Sequence, residues 1–140
     1  EHLNPFVLSL KADFYVDEEM IADSIQHKSS FNIIHRESMF KVDVFIPQER
    51  PFLQSQLARA QRQSFDFETK VSANFCSPED TILAKMEWYR LGGEMSERQW
   101  RDILGILKTR TGMLDLAYLK KWAGELKIRD LLERAVEESK

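Results

Sequence analysis

The sequence contains a single cysteine, few glycines and no long apolar run. Because Cys76 stands alone, an internal disulfide and a zinc site built from several cysteines are excluded, which fits a reducing cytoplasm. The five glycines form no phosphate-binding loop and no nucleophile elbow. No stretch reaches the roughly 18 apolar residues of a membrane-spanning helix, and the first residues lack the basic start of a signal peptide. We therefore expect a cytoplasmic protein with no membrane contact.

The sequence also lacks an excess of charge of either sign. Its formal net charge is −3 and its pI is near 5.7, so no overall attraction to nucleic acid or to an anionic membrane is expected. The histidines at positions 2, 27 and 35 lack the spacing of metal ligands. The chain does have 43% hydrophobic and 31% charged residues over 140 positions. This composition is typical of one globular domain with a packed core.

Strand and helix signals alternate up to about residue 76, and the pattern is helical after that. The sequence therefore predicts an α+β fold, with a strand-rich portion at residues 1–76 and a helical portion at 77–140, packed as one domain. Apolar bursts at residues 6–8 and 14–16 predict a strand, or a strand and a loop. Further predicted elements are a helix capped by Asp17 and ending near Lys28, an antiparallel hairpin of residues 31–35 and 40–46, a helix from Pro51 to about residue 61, and short strands at 64–67 and 71–75.

The second portion carries clear signals for helix ends. Ser77, followed by a proline and two carboxylates, is a strong N-cap pattern, and the glycine pair at residues 92–93 ends that helix. Ser96 and Gln99 have the spacing of a capping box for the next helix. Asp115 opens a third helix through about residue 126, and a fourth covers residues 128–138.

Asp43 is an unusual residue for its place, since aspartate is a poor strand former and here it lies between two valines. One interpretation is functional, with Asp43 as a metal ligand or general base on the sheet surface. The other is that this face is wet and Asp43 pairs with Lys41 or with a residue across the hairpin. His35 is one such residue if the register brings the two together, which the sequence leaves open.

Two charged residues lie beside the apolar faces of the predicted helices. Lys85 borders the apolar arc of the helix at 77–91, a position that suits an ammonium group meeting a phosphate and equally a lysine that lies along the edge of the core. Asp102 borders the arc of the next helix, where Arg98, four residues back, offers an exposed ion pair. Arg101 projects to the other side of that arc, and its guanidinium offers two parallel N–H groups for binding a phosphate. Cys76 precedes a helix start, a setting found for some reactive thiols, but with no obvious histidine partner an inert thiol is the simpler interpretation.

The order of three motifs resembles the later part of a minimal nucleotidyltransferase, and the AbiEii-like toxin nucleotidyltransferases are the family we name. The motifs are KVDVF at residues 41–45, PEDTILAK at 78–85 and QWRDI at 99–103, and the resemblance covers roughly residues 5–110. It implies part of a small mixed sheet of about four to five strands, followed by a C-terminal helical bundle. In that family, divalent metal held by carboxylates bridges the phosphates of a nucleoside triphosphate while a nucleotide moves to an RNA or protein acceptor.

By position in these motifs, the resemblance assigns Asp43, Lys85 and Asp102 to the catalytic residues, with Asp43 also at the metal site, where Mg²⁺ is expected. Lys85 matches a lysine that meets the triphosphate, and Arg101 is our further candidate for substrate binding.

The sequence departs from the family at its start, where the Gly-Ser turn and Asp-x-Asp strand are absent, so two of three metal-binding carboxylates are missing. Since Glu1 is not a methionine, we expect these carboxylates to lie upstream in a longer gene product. The alternative is an inactive binding or regulatory module that acts through an antitoxin-like partner or as a homodimer. A third interpretation is a structural domain in which the same residues form ion pairs.

Overall fold

A computed structural model describes residues 3–64 and 71–140 of the chain. The predicted α+β class is confirmed, because these residues form seven helices and two small antiparallel sheets of three and two strands. Contacts divide the chain into two compact units, Glu1–Leu53 (unit 1) and Gln54–Lys140 (unit 2). No helix in the described ranges is both long and apolar enough to cross a membrane.

The elements follow one another in a simple order. The first part of the chain contains α1 (Leu3–Leu10), β1 (Phe14–Tyr15), α2 (Glu18–His27), β2 (Ser30–His35), β3 (Lys41–Phe45) and α3 (Pro51–Ala58). The remainder contains β4 (Gln61–Ser64), β5 (Ser72–Phe75), α4 (Pro78–Leu91), α5 (Glu97–Thr109), α6 (Leu116–Glu125) and α7 (Arg129–Glu138). The change from strands to helices thus falls between β5 and α4, near the predicted boundary at 76/77, whereas the compact units divide inside α3.

Unit 1 is a three-stranded antiparallel sheet with two helices on one face. The strand order is β1-β2-β3, and the central strand pairs Phe31 with Val44 and Ile33 with Val42. Because side chains alternate along a strand, these residues share one face. Phe31 and Ile33 there pack with Val7 of α1 and Ile21 of α2 to form the buried core.

The start of the chain corrects a prediction. Residues 6–8 were expected in a strand, but they lie within the helix α1. Leu3, Val7 and Leu10 recur at helical spacing and pack on or within the core of unit 1, where Val7 is 1% exposed. A short apolar run fits a strand and a helix equally well, and here packing against the sheet selects the helix.

Unit 2 combines the β4–β5 hairpin with the helices α4 to α7. α4 packs against α5 and α6, and α7 packs against α5 and α6. The centre is apolar, with Ile82, Leu83, Met86, Ile103, Leu119 and Ala135 all fully buried. The β4–β5 hairpin pairs Gln61 with Phe75 and Gln63 with Ala73. The strand predicted at residues 64–67 lies mostly outside the described residues.

The prediction of a single mixed sheet is wrong for the described part of the chain, because both sheets are purely antiparallel and they are separate. The reason lies in the connections. β2 and β3 are joined by only the five residues 36–40, and such a short link allows an antiparallel pair, whereas a parallel pair needs a crossover of about a dozen residues or more.

The predicted helix starts are confirmed by the backbone. The side chains of Asp17, Ser77, Ser96 and Asp115 each accept a hydrogen bond from the backbone N–H three residues on. The α2 helix ends at Lys28, which adopts the left-handed conformation with φ of 48°. These local signals therefore place most helices of the chain.

Candidate functional site

Lys85 of α4 and Asp102 of α5 are in direct contact. The Nζ atom of Lys85 donates a hydrogen bond of 2.8 Å to Oδ2 of Asp102. Their side chains are 32% and 46% exposed, so the pair lies at the surface of unit 2 and is open to solvent. Two residues that the resemblance assigns to one site are therefore neighbours.

The packing of the two helices explains this contact. α4 buries Ile82, about one turn before Lys85, and Met86, the residue after it, and α5 buries Ile103 next to Asp102. Because α4 and α5 pack along these apolar stripes, the polar residues at the stripe edges meet across the helix boundary. The pair is thus a consequence of helix packing as well as a candidate binding group.

Cations surround the carboxylate of Asp102. The hydrogen bond and the charge of Lys85, with smaller contributions from Arg98 and Arg101, hold the pKa of Asp102 below its ordinary value despite partial desolvation. The expected ion pair with Arg98 is replaced by the pair with Lys85, and Arg98 acts only through its charge. Arg101 is exposed, and its charge reaches Asp102 only weakly.

Asp43 lies in unit 1, whereas Lys85 and Asp102 lie in unit 2. Its Oδ1 is 3.2 Å from Nζ of Lys41 on the same strand, and both side chains are about half exposed. Asn32 is its cross-strand neighbour. The ion pair between Asp43 and Lys41 that we considered for a solvent-exposed strand face is therefore present in the structure.

His35 does not face Asp43. It lies opposite Phe14 of β1, and its Nδ1 is 2.8 Å from Oγ of Ser38 in the β2–β3 turn. The register fixes this arrangement, since the β2–β3 pairing sets Asn32 against Asp43 three residues away from His35. A His–Asp pair on this hairpin is accordingly ruled out.

The residues described here do not fit a magnesium site of their own. Within the ranges 3–64 and 71–140, no three histidine, cysteine or acidic side chains are grouped as metal ligands would be. Asp43 contributes one carboxylate, and that carboxylate already meets the ammonium group of Lys41. Since Mg²⁺ in such sites takes one or two carboxylates together with substrate phosphates, we derive no chemical step through a metal.

A second polar cluster lies at the start of α4 and was not foreseen from the sequence. Asp80 is fully buried at 0% exposure. Its Oδ1 accepts a hydrogen bond of 2.6 Å from the Tyr118 hydroxyl, and its Oδ2 accepts one of 2.7 Å from the Ser77 hydroxyl. A buried carboxylate is tolerated when its oxygens are hydrogen-bonded in this way. Burial, followed by the bond to Asp80, raises the pKa of Tyr118 and keeps its hydroxyl protonated.

Glu79 and Arg59 extend this cluster toward the surface. The guanidinium of Arg59 stacks 3.9 Å from the centre of the Tyr118 ring and lies 3.4 Å from Oε2 of Glu79. The backbone N–H of Asp115 donates to Oε1 of Glu79 at 2.9 Å. Burial by itself raises the pKa of Glu79, but the hydrogen bonds and the charge of Arg59 outweigh it and hold that pKa below 4.5.

A groove of about 680 Å³ opens beside this cluster, within unit 2. Its walls come from β4, β5, the start of α4 and the end of α5. Its lining residues include Arg59, Gln61, Phe75, Cys76, Thr81 and Arg110. Thr81 precedes Lys85 by one turn of α4, and Ile106, another lining residue, follows Asp102 by one turn of α5. The Lys85–Asp102 pair does not itself line the groove but lies one helical turn from residues that do.

No family model, curated protein or solved structure matches this chain. The nucleotidyltransferase resemblance accordingly stays a prediction that rests on the motifs themselves. Within those motifs, the structure brings Lys85 and Asp102 together and adds the groove beside them. The long-range partners of Asp80 and Glu79 left no signal in the sequence, because Arg59 and Tyr118 are distant along the chain.

Proposed function

We propose that this chain is part of a nucleotidyltransferase-type protein in which unit 2 binds the triphosphate of a nucleoside triphosphate through Lys85. The observation that carries the proposal is the 2.8 Å contact between Lys85 and Asp102, one helical turn from residues that line a groove. Transfer of a nucleotide depends on positioning and on neutralising the charge of the phosphates, and an ordered lysine contributes to both.

Asp102 acts in this proposal as a positioning residue. The ammonium group of Lys85 has three N–H donors, and Asp102 accepts from one of them. The remaining donors are available to phosphate oxygens, while the bond to Asp102 restricts the orientation of a long and flexible side chain. Arg101, one residue before Asp102 and exposed, is the further candidate for substrate binding.

The groove next to Lys85 suits the rest of the nucleotide. Its volume of about 680 Å³ falls within the range of roughly 300–1,000 Å³ that small-molecule sites occupy. Phe75 offers an aromatic face and Gln61, its neighbour across the β4–β5 hairpin, offers an amide group. These side chains match the apolar face and polar edge of a nucleobase.

Binding alone is the activity that we propose for residues 1–140. Transfer to an RNA or protein acceptor needs more carboxylates for Mg²⁺ than Asp43, and we propose that they come from outside this sequence. The second candidate function is an inactive binding module with an antitoxin-like partner. The Lys41–Asp43 pair favours it, because that pair neutralises the single carboxylate on the strand.

The test is a titration of the chain with each of the four nucleoside triphosphates by calorimetry, at low salt, with and without Mg²⁺. We expect Lys85→Met to weaken binding by about ten- to a hundredfold, the loss expected for one hydrogen bond to a charged group. The matched control is Lys120→Met, at an exposed lysine on α6 outside the groove, which should leave the affinity unchanged.

Two results bear against the proposal. The first is an absence of binding by the unmodified chain, and the second is equal affinity for the Lys85 variant and its control. Since the Lys85–Asp102 pair is partly exposed and such pairs contribute about 0–1 kcal/mol, both variants should stay close to the urea midpoint of the unmodified protein, so that misfolding is told apart from the expected loss. Incubation with labelled nucleotide, Mg²⁺ and total RNA then separates transfer from binding alone.

A further inference from the structure

The strand β3 forms an open edge of the sheet in unit 1. In the strand order β1-β2-β3, the described residues show it paired only with β2. It is five residues long and contains neither proline nor glycine. The opposite edge, β1, has two residues, and the guanidinium of Arg36 covers the Tyr15 ring there at 4.2 Å. Since open strands with unpaired backbone groups pair readily with further strands, β3 is the edge of this sheet that can accept one.

The hydrogen-bond pattern shows which residues of β3 direct their backbone groups outward. The N–H of His35 donates to the carbonyl of Phe40, and the N–H of Ile46 donates to the carbonyl of Ser29, both at 2.9 Å. Because backbone groups alternate in direction along an antiparallel strand, Val42 also directs its groups toward β2. Lys41 and Asp43 therefore direct theirs away from the sheet.

These two residues make the edge complementary to itself. When two copies of β3 pair antiparallel about a two-fold axis, outward-directed residues must face each other. An axis at Lys41 sets lysine against lysine, and an axis at Asp43 sets aspartate against aspartate. An axis at Val42 instead sets Lys41 of each copy against Asp43 of the other, so that two opposite-charge pairs form by symmetry.

The apolar residues around β3 fit the same register. Val42 is 36% exposed and meets its own counterpart at the axis. Phe40, which is 67% exposed and precedes β3, falls opposite Val44 of the second copy. The pairing thus covers exposed apolar surface as well as satisfying backbone groups and charges.

We propose that β3 pairs with β3 of a second copy of this chain, antiparallel and in the register centred on Val42, which joins the two three-stranded sheets into one of six strands. This interaction surface lies in unit 1 and does not depend on the proposed nucleotide site. Pairing of five residues buries less than the roughly 1,200 Å² of a typical stable interface, so we expect a weak dimer whose population rises with protein concentration.

The first experiment is sedimentation velocity from low to high micromolar protein, with charge-exchange variants. Lys41→Glu and Asp43→Lys each convert two attractive cross-strand pairs into two repulsive ones, and each should weaken dimerisation by about tenfold or more. The double variant restores opposite charges in the same register and should return the dimer to within about twofold of the unmodified chain. Circular dichroism checks that each exposed substitution leaves the fold intact.

The second experiment tests the register by cross-linking. In a Cys76→Ser background, Val42→Cys places two thiols side by side at the axis, within the distance that a disulfide spans. We expect covalent dimer under mild oxidation from this variant, and little from the control Leu57→Cys, at a 62% exposed residue of α3.

Three outcomes overturn the proposal. The first is a chain that stays monomeric at every concentration. The second is a dimer that the double charge exchange fails to restore, because its contacts then lie elsewhere or in another register. The third is equal cross-linking at positions 42 and 57, which indicates random collision.

Discussion

The two units of this chain bury their apolar residues to very different extents. Among the described residues, unit 1 buries five hydrophobic side chains and leaves nine large ones exposed, whereas unit 2 buries fourteen and leaves eight exposed. The exposed side chains of unit 1 are Phe6, Leu8, Tyr15, Met20, Ile25, Met39, Phe40, Val42 and Phe45. Because burial of apolar surface drives folding, unit 2 has the larger share of the stabilising core and unit 1 has the larger share of surface suited to a partner.

Among the described residues, unit 2 also buries more polar side chains than unit 1 does. In unit 1 the buried polar residue is Ser24, whose hydroxyl donates to the Ser30 carbonyl. Unit 2 buries Ser77, Glu79 and Asp80. The long-range partners of these carboxylates are Arg59, just after α3, Asp115, the N-cap of α6, and Tyr118 of α6. The hydrogen bonds to these buried carboxylates restrict how the elements that they join are arranged, so we infer that the start of α4 is among the most firmly positioned parts of the chain.

The largest expected loss of stability comes from matched isoleucine-to-alanine substitutions in the two cores. Ile82 in unit 2 and Ile21 in unit 1 are 0% and 1% exposed. Replacing a buried isoleucine by alanine costs about 2–5 kcal/mol, and the cost is higher where the surroundings cannot collapse into the cavity. We expect Ile82→Ala near the upper end and Ile21→Ala near the lower end, since unit 1 has more exposed and movable neighbours.

Urea unfolding with two probes measures this difference. All three tryptophans, Trp88, Trp100 and Trp122, lie in unit 2, so fluorescence follows that unit alone, while amide hydrogen exchange follows both. A larger loss of stability from Ile21→Ala than from Ile82→Ala would contradict the view that unit 2 has the better packed core.

A matched tyrosine pair gives a smaller effect. Tyr118→Phe removes the hydroxyl that donates to Asp80 at 2.6 Å and leaves that buried oxygen one partner short. We expect a loss of about 1–3 kcal/mol in the free energy of unfolding, the usual cost of an unsatisfied buried group. Tyr15→Phe changes a side chain that is 54% exposed and should stay within about 0.5 kcal/mol of the unmodified protein. Equal effects in urea unfolding would show that the Asp80 cluster contributes little to unit 2.

The sequence predicted well those features that depend on neighbours along the chain. Ser77 and Asp115 cap their helices because the donors lie three residues away. The β2–β3 hairpin was predicted because its two strands are joined by a short polar turn. The helix α1 was missed, because a short apolar run becomes a helix here only through its packing on the sheet.

The candidate site shows the same limit. Lys85 and Asp102 were each identified from their place beside an apolar arc, but their contact joins residues 17 positions apart on different helices. Tyr118 and Asp80 are 38 positions apart, and the role of Tyr118 gave no local pattern. Contacts of this kind depend on how helices pack, which one sequence without aligned relatives does not specify.

At neutral pH, Glu79→Gln is expected to change the stability of unit 2 less than the substitutions above. The way that its effect depends on pH tests whether the buried carboxylates distinguish unit 2 from unit 1. The glutamine side chain keeps an oxygen that accepts the hydrogen bond from the Asp115 N–H. It lacks the negative charge that faces Arg59 in the unmodified protein. Because the folded pKa of Glu79 is lower than the ordinary value of 4.5, the folded state binds this proton less well than the unfolded state does. Its contribution is therefore complete above about pH 4.5 and is lost as the pH falls through the lower folded value.

Urea midpoints measured by tryptophan fluorescence between neutral and acid pH test this linkage. The unmodified protein should lose stability in unit 2 through the acid range, and Glu79→Gln should lose less, since one of the titrating carboxylates is gone. The matched control is Glu49→Gln, at an exposed carboxylate of unit 1 whose side chain is 86% exposed, which should leave the acid profile of unit 2 unchanged. If Glu79→Gln and Glu49→Gln give the same profile, burial and hydrogen bonding at the start of α4 do not control the acid stability of unit 2.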